Sequence, residues 1–265
     1  MSRNESCAVI GLGNMGIEVA TRLAAAGRVV GFDLSPERRA LAASRGLAVA
    51  ATLKETTAGA TTAVLSLPTP AASRATDQQH AVAPGHDLDA RLDRRVEIMA
   101  RGNSVLLIGG APDDIARAKP WLDALSPLQS VMGAAGAGSA AKVINNAVAH
   151  AVYVVLAEAL AMARANGIAT ADFVAMMRGA DAGLVRPLTH RIAERVAQRD
   201  FAPGMPLDAA RKDSVLALEV AQRDGIPLFA IQGAHTAYEL ACARGLGRDD
   251  YAVLAMLWDK WIDRP

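Results

Sequence analysis

Aromatic residues make up only 4% of this 265-residue sequence, too few for a surface that stacks on nucleic-acid bases. Neither sign of charge is in excess. Lys and Arg total 28 against 27 Asp and Glu, so the net charge of +1 gives no electrostatic case for nucleic acid or an anionic membrane. Cysteine is nearly missing: Cys7 and Cys242 lie far apart without metal-ligand spacing, as expected of reduced thiols in a cytoplasmic protein. The polar start M-S-R-N-E-S lacks the apolar core of a signal peptide. The longest apolar stretch is interrupted by Asn145, Asn146, His150 and Glu158, so it reads as a core helix and not as a membrane span. What remains is 52% hydrophobic and 21% charged, a globular balance with length for one large or two ordinary domains. These bounds point to a cytosolic α/β enzyme.

The first chemistry-bearing motif opens the chain. Ser6 to Ile10 reads as a buried strand that runs into Gly11, Leu12, Gly13, Asn14, Met15 and Gly16, followed by an Ala-rich helical run to about Ala26. Arg28 to Asp33 reads as a second strand closed by an acidic residue. A G-x-G-x-x-G between strand and helix, with a carboxylate ending the next strand, is the dinucleotide-binding fingerprint in its proper context. The first glycine permits the tight turn, the second lets backbone approach a pyrophosphate, and the third lets helix pack on strand. The pyrophosphate then meets the free N–H groups at the helix start. The plainer alternative is a merely structural glycine turn. Asp33 would accept hydrogen bonds from both ribose hydroxyls of NAD and repel a 2′-phosphate, which predicts NAD over NADP. Arg38 and Arg39 follow in a helix opened by Ser35-Pro36-Glu37 and read as a solvated face.

The β/α alternation continues through a strand at 47–50, a helix at 53–58 and a strand at 61–67, which predicts a doubly wound parallel sheet. Ligands in such sheets sit at the carboxyl ends of strands. The turn that carries Leu67 and Pro68 therefore either faces the cofactor or simply ends a strand. Residues 71–102 are polar and read as a solvated loop or helix; His80, His86, Asp87 and Asp89 there match no metal spacing. Order returns with a strand at 104–108, then Gly109-Gly110. A helix at 112–125 should kink or break early at Pro120, and a last strand follows at 129–132.

From Ala137 the pattern is wholly helical, which sets a Rossmann domain at 1–134 against an all-helical domain at 135–265. The junction reads G-A-G-S-A-A-K-V-I-N-N from Gly136 to Asn146. Lys142 and Asn146 lie four apart and so share one helix face. A lysine near a helix start and next to an apolar helix is disfavoured in its charged form by the dipole and by burial. That suits a group that moves protons near neutrality, although a solvated surface lysine is the commoner occupant of such a place. Ala147 to Met162 is apolar on nearly every side, and a helix of that kind is expected to be buried, wrapped by this chain or by a second one. Further on, Lys212-Asp213 sits in L-D-A-A-R-K-D-S-V-L-A-L, where Leu207, Val215, Leu216 and Leu218 form the apolar face. On spacing alone that pair is a surface ion pair.

Taken together, G-L-G-N-M-G, L-P-T-P, G-A-G-S-A-A-K-V-I-N-N and the K-D pair resemble the β-hydroxyacid dehydrogenase family, which includes 3-hydroxyisobutyrate, tartronate semialdehyde and L-threonate dehydrogenases. The likeness covers roughly 6–70 and 104–262. It implies a Rossmann domain followed by an all-α domain on a long interdomain helix, a homodimer or homotetramer, and a small carboxylic acid substrate. It also implies that Lys142 is the catalytic acid/base, that Asn146 binds substrate, and that Lys212 lies near nicotinamide and substrate. Related imine reductases usually lack this lysine, so its presence favours hydroxyacid chemistry. One motif departs. Where the family has a D-A-P-V-S-G-G loop for the substrate carboxylate, this chain has Leu88-Asp89-Ala90 followed by Arg91-Leu-Asp-Arg-Arg95, and the preceding segment is shorter. Three readings follow: Arg91, Arg94 or Arg95 takes over the carboxylate; the chain binds NAD without turnover; or the helical domain holds the substrate.

Overall fold

The computed structural model describes residues 6–67, 76, 88–92, 104–202 and 204–262. Its contacts divide the chain into two compact units, Met1–Asn146 and Ala147–Pro265. The first unit opens with β1 (Ser6–Ile10), α1 (Asn14–Ala24), β2 (Arg28–Phe32), α2 (Pro36–Ser44), α3 (Leu53–Thr57) and β3 (Thr62–Leu65). β1 lies between β2 and β3, parallel to both. Its residues Cys7 to Ile10 are buried, as expected of a central parallel strand covered on both faces. The predicted strand at 47–50 shrinks to one bridge between Gly31 and Val49.

A second three-stranded sheet follows, in the order β4 (Leu88–Leu92), β5 (Leu106–Gly110), β6 (Gln129–Gly133). This corrects two expectations. Among the described residues the strands form two sheets rather than one parallel sheet, and β4 falls in a stretch that reads as loop or helix. β4 runs antiparallel to β5, with Leu88 opposite Gly110 and Leu92 opposite Leu106. Its five residues L-D-A-R-L do alternate apolar and polar, a strand period that is too brief to stand out among charged neighbours. β4 thereby supplies the ladder groups of one β5 edge, which parallel order alone would have left unpaired.

Both sheets share one core. Cys7 and Val9 of β1, Leu12, Ile17 and Leu23 around α1, and Leu106 and Ile108 of β5 pack with Trp121, Leu122 and Leu125 of α4 (Pro112–Leu125). This packing explains why Pro120 does not end α4, which runs on to Leu125. The three apolar residues that anchor the helix lie after the proline and offset its missing hydrogen bond. Arg22 of α1 donates to the carbonyls of Leu125 and Ala124 at 3.0 and 3.1 Å, satisfying acceptors at the α4 C-terminus.

Helix α5 (Ala137–Ala165) carries the chain from the first unit into the second. The second unit continues with α6 (Thr170–Met177), a π-helix (Pro187–Val196), α7 (Leu207–Arg223), α8 (Ala230–Ala243), a 3-10 helix (Tyr251–Trp258) and α9 (Asp259–Ile262). Leu207, Ala241, Val253 and Leu257 form its buried centre. Leu216, expected on the inward face of α7, is 50% exposed. The larger correction concerns α5. Over its apolar window only 6% is buried, and Val143, Ile144, Val148 and Tyr153 are all more than half exposed. Among the described residues this chain does not cover the helix that its own composition asks to have covered. By length and composition alone α5 would also cross a membrane. One side chain of α5 is firmly held: buried Glu158 accepts hydrogen bonds from the backbone N–H groups of Phe229, Ala230 and Ile231 at 2.7, 2.9 and 3.0 Å. It caps α8, which has no cap of its own.

Candidate active site

The glycine fingerprint forms a tight cradle between β1 and α1. Gly11 has φ +94°, a left-handed value that favours glycine, and a Cβ there would strike the backbone carbonyl of Ser66. A Cβ on Gly16 would overlap the carbonyl oxygen of Gly11. Gly13 faces open space, with nothing within 4 Å of its Cβ position. The cradle is therefore closed beneath Gly11 and Gly16 and open above Gly13. α1 begins at Asn14 without any side-chain cap, so its first N–H groups are available to an anion. Such an arrangement fits the pyrophosphate of a nicotinamide dinucleotide, with Leu12, Asn14 and Met15 completing the wall.

Asp33 lies at the end of β2, beside that cradle. Its Oδ2 accepts from the Leu12 N–H at 2.7 Å and its Oδ1 from the Ser35 N–H at 2.9 Å. The carboxylate thus ties the glycine turn to the start of α2 and keeps further lone pairs for ribose hydroxyls. Arg38 and Arg39 are not a solvated face. Arg38 is half-buried and donates to Asn14 Oδ1 at 3.0 Å. Arg39 bonds the carbonyl of Asp33 and sits 5.8 Å from the Phe32 ring centre. Both guanidinium groups thereby bond residues of the cradle, Asn14 and Asp33, from the helix that Ser35 caps.

The end of β3 also reaches the cradle. Ser66 N–H donates to Ile10 O at 2.8 Å, and Leu67 Cδ2 lies 3.0 Å from the Cβ position of Gly11. Leu67 is thus brought to the glycine turn, whereas Pro68 lies outside the described residues, as do His80, His86, Asp87, Arg94 and Arg95. Among the described residues no cluster of three metal-ligating side chains occurs.

Lys142 and Asn146 stand one turn apart on α5, Lys142 half-buried and Asn146 exposed. Lys142 is the sixth residue of the helix, beyond the first turn where the dipole acts most strongly. Gly136, φ +95°, immediately precedes the first residue of α5. Lys212 belongs to the second unit. There its side chain is 68% exposed and pairs with Asp213 at 3.5 Å, the geometry of a surface ion pair.

Comparison with known proteins decides the family. Over 264 aligned residues the chain is 31% identical to the probable 3-hydroxyisobutyrate dehydrogenase of Mycobacterium tuberculosis, covering 87% of this chain and 89% of that protein. The chain belongs to the β-hydroxyacid dehydrogenase family. Residues 6–92 match the NAD binding domain of 6-phosphogluconate dehydrogenase, and residues 136–258 match the NAD-binding domain of NADP-dependent 3-hydroxyisobutyrate dehydrogenase. The NAD-dependent L-serine dehydrogenase of Pseudomonas aeruginosa is 26% identical over 95% of this chain and 97% of its own. A solved structure of the Mycobacterium tuberculosis 3-hydroxyisobutyrate dehydrogenase with L-serine superposes with a TM-score of 0.63 at 26% identity, covering 96% of this chain and 99% of that one. This β-hydroxyacid dehydrogenase is accordingly an NAD(P)-dependent oxidoreductase of the type that acts on CH–OH, with an N-terminal Rossmann domain and a C-terminal helical domain.

Two features escape sequence reasoning. The pairing of Arg38 with Asn14 joins residues far apart in the chain and follows no spacing rule. Ser66 as the floor of the Gly11 turn is equally invisible, because its contribution is a backbone carbonyl.

Proposed function

We propose that this dehydrogenase interconverts a small β-hydroxyacid and its semialdehyde or keto form, with NAD as preferred cofactor and Lys142 as the acid/base. A nicotinamide dinucleotide held by the Gly11–Gly16 cradle would supply the hydride acceptor for oxidation and the hydride donor for reduction. Lys142 Nζ takes the hydroxyl proton as the carbonyl forms and gives it back in the reverse direction. Asn146, one turn along the same helix face, fixes the reacting oxygen by a hydrogen bond and so supplies alignment. Lys212 lies near nicotinamide and substrate in this proposal. The observation that carries the reading is the occurrence, in one chain, of an open dinucleotide cradle and of Lys142 and Asn146 at helical spacing. The names of the relatives, 3-hydroxyisobutyrate and L-serine dehydrogenases, point to a small carboxylic acid with its hydroxyl on the β-carbon.

NAD is favoured because the Asp33 carboxylate faces the ribose end of the cradle and disfavours a 2′-phosphate. A second reading, use of NADP as well, is supported by the bonds of Arg38 and Arg39 to Asn14 and Asp33 of the cradle, since guanidinium forks bind phosphate. The exposed apolar face of α5 supports a homodimer or homotetramer, in which a second copy covers what one chain leaves bare. The test is a panel of small β-hydroxyacids, including 3-hydroxyisobutyrate and L-serine, with NAD or NADP, following absorbance of the reduced nicotinamide. Turnover of at least one acid, faster with NAD, is expected. If Arg38 reads a 2′-phosphate, Arg38→Gln lowers kcat/KM with NADP about tenfold more than with NAD. Absence of turnover on every acid would contradict the proposal.

A further inference from the structure

The second unit holds a cationic cavity of about 550 Å³, within the size range of small-molecule sites, lined by Arg186, His190, Arg191, Glu194, Arg195 and the Gly204–Met205 backbone, with Tyr251 at one wall. Its lining comes from the π-helix Pro187–Val196 and the residue before it. Bonds from Ala197 N to Ile192 O and from Asp200 N to Arg195 O, each 3.0 Å, span five residues. Arg191 and Arg195 lie four apart within that helix, and Arg186 is the residue immediately before it. All three guanidinium groups line this one cavity, and π-helical turns occur frequently at functional sites.

The floor of the cavity is built rather than incidental. Asp250 is 1% exposed, and its oxygens accept from the Met205 and Ala252 N–H groups, both at 2.9 Å. It faces Arg191 Nε at 3.6 Å and Arg195 Nε at 3.7 Å, so one carboxylate serves two guanidinium groups. A Cβ on Gly204 would overlap Asp250, which makes that close backbone approach dependent on glycine. The Arg191 side chain is only 13% exposed, lies 4.3 Å over the Tyr251 ring, and leaves its buried Nε without a hydrogen-bond partner. Arg195 is turned partly away, donating to the Ala202 carbonyl at 2.6 Å. Arg186 is exposed, and its side chain makes no hydrogen bond or ion pair among the described residues. Three arginines thus confront two carboxylates, Asp250 beneath and Glu194 at the rim.

We propose that this cavity is a binding site for a small multivalent oxyanion, a phosphate ester or polycarboxylate, separate from the dinucleotide cradle. Arg191, held flat by Tyr251, presents its remaining N–H donors in the planar fork that matches such oxygens. Arg186 closes on the anion from the next turn. The site is independent of the hydride-transfer reading, because every group in it lies outside the residues assigned to that chemistry.

The experiment is calorimetric titration of the full chain, saturated with NAD so that the cradle is filled, with inorganic pyrophosphate and separately with citrate. Ionic strength is matched with chloride. Saturable one-to-one binding of at least one of the two is expected. Arg191→Gln and Arg186→Gln should each weaken it at least tenfold while leaving NAD affinity unchanged. If Arg191→Gln fails to fold, the exposed Arg186→Gln decides. Absence of saturable binding to the unaltered protein, or unaltered affinity in Arg186→Gln, would overturn the proposal.

Discussion

Gly16 shows how strictly single residues are fixed at the cradle. The atom that a side chain would add there has no volume to occupy, because the obstacle is the Gly11 carbonyl, part of a turn itself pinned at φ +94° against Ser66. Gly16→Ala should therefore destabilise the first unit by about 2 kcal/mol or more, since relief requires moving backbone. It should also abolish NAD-dependent thermal stabilisation; a variant with unchanged melting and unchanged NAD response would contradict this geometry. Asp33 differs in kind. It has two tasks: it bonds the Leu12 and Ser35 N–H groups to shape the turn, and in the proposed function it meets the ribose. The first task is silent in sequence, because any carboxylate ending β2 looks the same whether or not the backbone already uses it. Arg38 and Arg39 illustrate the reverse: by helix spacing they belong outside, and only the tertiary contacts reveal their bonds to Asn14 and Asp33.

At the scale of elements, α5 and α8 are joined by one carboxylate. Burial by itself pushes the Glu158 carboxyl up, but three backbone N–H bonds outweigh it and hold the group below its ordinary value. A folded value below the unfolded one means that the stabilisation is fully present above the ordinary Glu range and is lost as pH falls through the folded value. Glu158→Gln should cost about 2 kcal/mol near neutral pH, because buried N–H groups lose a charged acceptor. The gap between variant and parent in thermal melting should narrow below about pH 4; a gap independent of pH would exclude this cap. The exposed side of α5 carries a different prediction. If a second copy covers it, replacing Val148, 57% exposed, with Glu should shift the protein toward monomer in light scattering after gel filtration. An unchanged oligomer would show that this face is not the interface.

For the molecule as a whole, legibility follows the range of the interactions. β1, α1 and β2 are readable because their strand and helix periods, glycine spacing and closing carboxylate are all local. The same holds for α5, whose helical period is continuous from Ala137 onward. β4 is not readable, since five alternating residues among charges become a strand only through pairing with β5, a partner that sequence spacing does not disclose. Pro120 fails as a helix breaker because the deciding term is burial of Trp121, Leu122 and Leu125, which is tertiary. The burial expected of α5 fails for the opposite reason: composition reports that the helix wants a cover, and says nothing about which chain supplies it. Of the candidate site, Gly11 to Gly16, Asp33 and Leu67 are brought together, and Lys142 and Asn146 share a helix face as their spacing requires.

The central claim is that Lys142 moves the proton while the fingerprint holds the dinucleotide. The direct measurement compares Lys142→Ala with the unaltered protein in two quantities, kcat on the best hydroxyacid of the panel and the NAD dissociation constant by calorimetry. The account predicts a loss of several orders of magnitude in kcat, because proton transfer and alignment both fail, with NAD affinity preserved. Near-normal turnover in Lys142→Ala would contradict it.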